Sequence, residues 1–492
     1  GEDWNGYKEN FEVYDPARGC YVQNWTNTQQ QQFGNPYWML NRQIPITDRN
    51  RYEFGGSIKW DITPDLNIQG RMRYERGEEH NAYASSVGNL YPMGRMKDNR
   101  YFSDQLYGDV LVSYNHTFND FSLSATAGSS FTKTKTSHVD LWGEGSQFSQ
   151  PGSGNIFYPN IFTPNNYYGN MSTVGKDDNW MTQKRLNSVF ATAQLGYREG
   201  IFLDISARND WSSALAFTES CSFFYPSFGG SVLLNKFVDM GKNIDLFKFR
   251  ASYSIVGNDV PVFMSNLLYS LGSQGAITPP DKAPFRTLKP EKTHSLEIGF
   301  DGTFLQNRLN INLTYYKTNT KNQFFSVAAP YESGLRNRYV NAGNVENKGF
   351  EFNIGWYEQF TDHFSWSTNL NFSYNDNKIK ELVDDLPNGL TLTDFGGAKV
   401  ILKEGGHYGD LYVRHLMRDE NGKPLQNEKG EPIVSGDSMD ELEYAGNMNA
   451  KVNMGWTNTF RYKDFSLSFL IDAKFGGKVI GMTEAALDGW GV

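Results

Sequence analysis

The 492-residue sequence predicts an all-β fold, a transmembrane antiparallel β-barrel. Three observations carry that prediction. Apolar and polar side chains alternate with a period of two along most of the chain. The connections between the alternating runs are short and long by turns. Aromatic residues gather within a few positions of the short connections.

The runs lie in order at 52–62, 65–75, 105–118, 121–131, 184–198, 201–211, 247–257, 308–316, 350–356, 364–374, 446–460 and 465–473. In RLNINLTYY (308–316) Leu309, Ile311, Leu313 and Tyr315 share one face, and Asn310, Asn312 and Thr314 share the other. In FEFNIGW (350–356) Phe350, Phe352, Ile354 and Trp356 alternate with Glu351, Asn353 and Gly355. Residues 364–374 and 465–473 repeat the pattern. The whole chain is expected to hold about 16 strands of roughly 10–16 residues, where a tilted barrel strand crosses the hydrocarbon layer with about 9–11 and a soluble strand has about 5–6.

Short connections are expected at Thr63-Pro64-Asp65, Asn119-Asp120, Glu199-Gly200, Leu305-Gln306-Asn307, Phe360-Thr361-Asp362 and Tyr462-Lys463-Asp464. Long ones are expected near 77–103, 136–181, 259–290, 321–345, 377–394 and 419–445. All tight turns would then lie at one end of the strands, as in barrels with short periplasmic turns and long extracellular loops. Trp60, Trp356, Trp366 and Tyr462 stand beside the short turns and are expected in an interfacial girdle. Leu309, Ile311, Leu313, Phe350, Phe352 and Ile354 are expected to face lipid.

Composition agrees. Aromatics make up 15% of the chain and glycines number 48, yet only 39% of residues are hydrophobic. No stretch approaches the roughly 18 apolar residues of a membrane helix. The net charge of −9, with no basic run, disfavours nucleic acid as a partner. A soluble propeller would also alternate, but its blades recur at about 40–50 residues, and no such repeat is visible.

Catalytic and metal motifs are not apparent. The seven histidines form no HxxxH or HExxH pair, and Cys20 and Cys221 form no CxxC, though they permit one disulfide. No GxSxG, Walker loop or GxGxxG leading into a helix is present. Asp419-Glu-Asn-Gly422 resembles the start of a calcium loop but lacks its later ligands, and it reads as a turn. No enzyme activity, cofactor or metal is expected. Candidate substrate contacts lie in the long loops: Trp142, Tyr158, Tyr167, Tyr168 and Trp180, then Tyr331, Arg336, Arg338 and Tyr339. Aromatic faces stack on sugar rings and arginines hydrogen-bond hydroxyls or carbonyls. The plainer reading is that these residues pack the loops on one another.

Several stretches together identify a family resemblance. They are NPYW (35–38), RNDWSS (208–213), YPS (225–227), RASYSIVGND (250–259), LKPEKT (288–293), NAGNVENKGFEF (341–352) and FGGKVIGMTEAALDG (475–489). From about Phe33 onward the chain resembles the SusC/RagA-like TonB-linked (TonB-dependent) outer-membrane transporters of Bacteroidetes. The resemblance implies a barrel of the TonB-dependent transporter type, with about 22 strands when complete. It also implies import driven by TonB, a SusD-like lipoprotein lid, oligosaccharide or peptide cargo, and an assembly that includes dimers of the SusCD type. The plug domain and TonB box are expected outside this chain, which then reads as a section of a longer one. On that view residues 1–48 are an extracellular loop region leading into the barrel and 49–476 are barrel strands. Residues 477–492 lead toward further strands. A passive porin, and a non-transporting surface binding protein, adhesin or hydrolase on a β scaffold, are the alternatives.

Overall fold

The computed structural model describes residues 4–490 except 18, 26–33, 87–93, 145–157, 159, 164–165, 167–173, 176–179, 267–268, 272–276, 279, 281, 284–287, 330–331, 333–334 and 383–388. Fourteen long strands follow one hydrogen-bonded path. They are β1 (Gln43–Asp61), β2 (Leu66–Ser85), β3 (Arg95–Phe118), β4 (Phe121–Glu144), β5 (Trp180–Tyr197), β6 (Ile201–Ser212), β7 (Ser222–Leu233), β8 (Ile244–Asn258), β9 (Glu291–Phe304), β10 (Leu309–Ala328), β11 (Asn337–Thr361), β12 (Phe364–Glu381), β17 (Ala450–Tyr462) and β18 (Phe465–Gly476). An insertion between β12 and β17 carries β13 (Leu390–Asp394), β14 (Ala398–Leu402), β15 (Asp410–Val413) and β16 (Glu443–Asn447), which form a separate four-stranded sheet. Two-residue strands, Val174–Gly175 beside β4 and Lys282–Ala283 beside β11, hang off the main path.

With these two, the main sheet has 16 strands among the described residues, in line with the expectation of about 16. The fourteen long ones run from 12 to 25 residues, many of them longer than the roughly 10–16 expected and than the roughly 9–11 a membrane crossing needs. The expected long connections at 77–103 and 321–345 are largely strand, and the one at 136–181 begins with strand as far as Glu144. Hydrogen bonding continues where the two-residue hydropathy period has ended, so these stretches do not read as strand in the sequence. The short connections fall where expected, with Asn119 (φ 50°) and Lys463 (φ 51°) in left-handed positions that tighten the turns. The short/long rule weakens at β7, which is flanked by 213–221 on one side and 234–243 on the other. Among the described residues no helix is long and apolar enough to cross a membrane, which says nothing of strands. Cys20 is buried and Cys221 exposed, and the two are not joined in a disulfide.

The chain divides into two compact units. One comprises Gly1–Lys59, Gln69–Val110 and Ser130–Leu186; the other comprises Trp60–Ile68, Leu111–Ser129 and Asn187–Val492. In the second unit register decides which residues share a face. Leu313 pairs with Phe300 on one side and Phe352 on the other, and Tyr315 pairs with Ile298 and Phe350. Ile354 pairs with Ile311 and Leu370, Leu370 with Trp456, and Trp456 with Ile471. The apolar face is therefore continuous from β9 through β18. Its rings stack across strands, as Phe352 does on Phe372 with centroids 4.9 Å apart. The other face is a polar ladder, with Asp301, Asn312, Asn353 and Asn371 in register.

NAGNVENKG (341–349), whose first half falls in the long connection expected at 321–345, lies inside β11. Val345 joins Ile379 and Leu402 in a buried cluster, and the Glu346 carboxylate pairs with Lys317 at 3.1 Å and Lys380 at 3.4 Å. At Gly349 a Cβ would stand 2.0 Å from the Tyr374 carbonyl oxygen and 2.7 Å from the Tyr316 hydroxyl. Backbone cannot yield as a flexible side chain does, so Gly349→Ala is expected to cost about 1–3 kcal/mol. Urea unfolding of the lipid-embedded protein checks this; an unchanged midpoint would contradict it.

The inserted sheet has its own small core. Ala398, Val400 and Leu411 pack together with Val413, Ala445 and Ile480, while Leu402 reaches the cluster at Val345. Lys399 lies between Asp394 (3.3 Å) and Asp437 (2.8 Å), and the hydrogen bond to Asp437 is the main reason its ammonium is held above its ordinary value. Asp419 closes a tight turn by accepting from the Asn421 and Lys423 amides, both at 2.9 Å. Eight residues on, Asn427 does the same with Lys429 and Glu431. The DENG stretch is thus a turn, as its sequence suggests.

Candidate binding surfaces

Sequence alternation sorts β1 and β2 into an apolar side and a charged side. On β1, Tyr52, Phe54, Ile58 and Trp60 share one parity, and Arg49, Arg51 and Glu53 the other. Ile58 and Trp60 are 80% and 66% exposed, so nothing among the described residues covers that apolar side there. On the charged parity, ion pairs cross from strand to strand. Arg49 reaches Glu79 at 2.8 Å, Arg51 reaches Glu75 at 2.9 Å and Arg73 reaches Glu53 at 2.9 Å. Arg71 binds Asp109 at 2.6 Å, and the Tyr107 hydroxyl donates to the same buried carboxylate. Exposed pairs of this kind contribute roughly 0–1 kcal/mol each, so stability alone gives little reason for the ladder.

Beside the ladder, where Gly77 interrupts it, lies a cavity of about 380 Å³. Arg49, Arg51, Gly77, Glu79, Tyr101 and Thr136 line it. Tyr101 is 39% exposed, with the buried His138 stacked against its ring at 4.1 Å and 10°. The sequence reading did not single out these residues. Their signal is present in RNRYE (49–53) and RMRYERGEE (71–79), where charges of both signs recur at every second position.

The nine candidate contacts are placed differently from the expectation that all lie in loops. Trp142 is on β4, where its backbone pairs with Gly175, and Trp180 opens β5. β4 and β5 are neighbours in the strand path. Tyr158 is exposed in a turn held by Asn166, whose side chain accepts from the Tyr158 amide (2.9 Å) and donates to its carbonyl (2.7 Å). In the second unit Arg336 immediately precedes β11, and Arg338 and Tyr339 lie on it. The Lys282 ammonium stands 5.5 Å above the Tyr339 ring, and Lys282–Ala283 pairs in parallel with Asn337–Arg338. Tyr167, Tyr168 and Tyr331 lie outside the described residues. Among the described residues no group of His, Cys, Asp and Glu could hold a metal ion.

Residues 2–415 match the family model of the TonB dependent receptor-like β-barrel. A curated relative, TonB-dependent receptor P3 of Formosa agariphila, is 27% identical over 406 residues, covering 76% of this chain and 39% of that receptor. TonB-dependent receptor SusC of Bacteroides thetaiotaomicron is 30% identical over 256 residues, covering 47% of this chain and 25% of SusC. Among solved structures, the RagAB peptide importer in its open-open state matches with a TM-score of 0.73 at 16% identity, over 95% of this chain and 50% of that one. The chain spans between a quarter and half of the length of these relatives.

Proposed function

The chain belongs to the TonB dependent receptor-like β-barrel family, and from that premise we propose that it serves active, TonB-dependent import of oligosaccharides across the outer membrane. The family places it in the outer membrane as part of a receptor and transporter rather than an enzyme. The observation that carries the reading is the two-sided strand path, with one face continuously apolar and the other polar. On this reading Leu309, Ile311, Leu313, Phe350, Phe352 and Ile354 meet acyl chains, and the polar ladder lines the lumen. Trp60, Trp356, Trp366 and Tyr462 form the girdle at the end with the short turns. Trp366 suits that place: its ring stacks on Phe460 while its indole N–H donates to Asn458 at 3.1 Å.

Residues 1–48 and 477–492 then belong to the extracellular side, the first strand of the wall already starting at Gln43, and the long strands within 49–476 form the wall, with the inserted sheet of β13–β16 standing apart from it. A SusD-like lipoprotein lids the mouth, TonB acts through a plug and TonB box supplied elsewhere in the protein, and two such units pair. Cargo contacts come from the aromatic and arginine candidates, Tyr158, Arg336, Arg338 and Tyr339 among them. Peptide cargo is the second reading, favoured by the likeness to a structure described as a peptide importer.

The test is affinity purification of the tagged protein from outer membranes, followed by growth of a deletion strain. A SusD-like lipoprotein is expected in stoichiometric amount, with growth lost on a glycan and retained on peptides. Loss on peptides alone would transfer the proposal to the second reading. Purification with no lipoprotein would overturn the lid.

A further inference from the structure

We propose that the cavity at Gly77 is a subsite for one neutral sugar ring of the cargo, stacked on the open face of Tyr101 with its hydroxyls on Arg49, Arg51 and Glu79. The inference rests on the oligosaccharide reading above and assigns it a site.

Size comes first. About 380 Å³ is at the small end of ligand cavities, suited to a single ring rather than a folded chain. The platform comes next. A pyranose presents an apolar face of C–H groups, which an aromatic ring accepts. Tyr101 offers such a ring, and the buried His138 behind it holds it in place.

The charges select against ionic ligands. Arg49 is already paired with Glu79 and Arg51 with Glu75, so the wall is close to neutral. A charged peptide group would have to break one of these pairs. A sugar hydroxyl both donates and accepts, so it can bridge a guanidinium and a carboxylate with the pair intact.

Position agrees. With about 9–11 residues needed to cross the hydrocarbon layer, positions 49 and 79 lie beyond the crossing when counted from the turn at 62–65. Gly77 keeps the space open: a Cβ there would find only Ser103, at 3.9 Å or more. Alanine at 77 therefore fits, and a leucine side chain would project into the cavity.

The test uses the full protein in lipid nanodiscs and saturation-transfer NMR with free glucose, galactose, mannose, xylose and arabinose at millimolar concentration. At least one sugar is expected to show transfer to its ring protons. That signal should fall about tenfold or more in Tyr101→Ala and Gly77→Leu, and persist in Tyr101→Phe. Tri-alanine should not displace the sugar. Heat-modifiable migration on gels identifies variants that fold as the wild type does, and only these are compared.

No transfer from any of the five sugars, or transfer unchanged in folded Tyr101→Ala and Gly77→Leu, overturns the subsite. Displacement by tri-alanine overturns its sugar assignment. Uptake separates this from the underlying reading. If glycan uptake needs TonB in the wild type and has the same KM in both variants, the subsite fails and the importer stands. If wild-type uptake of glycan ignores TonB, the importer reading fails.

Discussion

Leu313→Arg lowers the stability of the lipid-embedded protein by about 2–4 kcal/mol, whereas Asn312→Arg costs at most about 1 kcal/mol. The two positions are adjacent on β10 and project to opposite faces. Leu313 stands between Phe300 and Phe352, near the middle of the apolar band. A guanidinium there must enter the hydrocarbon or drag water into it. Asn312 faces Asp301 and Asn353, and its amide already donates to the Asp301 carboxylate, so an arginine at 312 finds an anion beside it. Urea unfolding in phospholipid vesicles measures both. Equal costs would sink the face assignment from β9 through β18, because register ties β10 to its neighbours and so on to β18.

Leu402→Ala detaches the inserted sheet at a local cost of about 2–5 kcal/mol. Leu402 is only 2% exposed and packs on Val345 of β11 and Ile379 of β12. Its loss leaves a cavity where the sheet meets the two strands. Limited proteolysis should then cut within 383–449 while β11 and β12 stay protected. Leu392→Ala, at a position 38% exposed on β13, is expected to change the pattern little, within about 0.5 kcal/mol. Protection of the insertion in Leu402→Ala would show that other contacts hold it.

What the sequence disclosed follows from where one face must be apolar. In 309–315 and 350–356 the alternation is strict, and the observed registers pair Ile311 with Ile354 and Tyr315 with Phe350. Beyond that band the requirement ends. GEEHNAYAS at 77–85 and KNQFFSVA at 321–328 are strand without a two-residue hydropathy period, so they read as loop. AKVIL at 398–402 failed for the opposite reason: four of its five residues are buried, and a short apolar run carries no period either. In NAGNVENKG the sequence carries the family resemblance but not the contacts made there, which are the packing of Val345, the two lysines on Glu346 and the space denied at Gly349. The charged residues of the Arg/Glu ladder were visible in RNRYE and RMRYERGEE. That Arg51 meets Glu75, and Arg49 meets Glu79, depends on the pairing of β1 with β2.

The central claim is energised import through an outer-membrane barrel, and uptake with and without TonB tests it most directly. Cells expressing the protein take up a fluorescently labelled glycan on which the deletion strain cannot grow. The account predicts that uptake falls to the deletion background when TonB is removed, and that surface binding of the glycan by the lid persists. Uptake that continues at its original rate without TonB would contradict the account and leave a passive pore in its place.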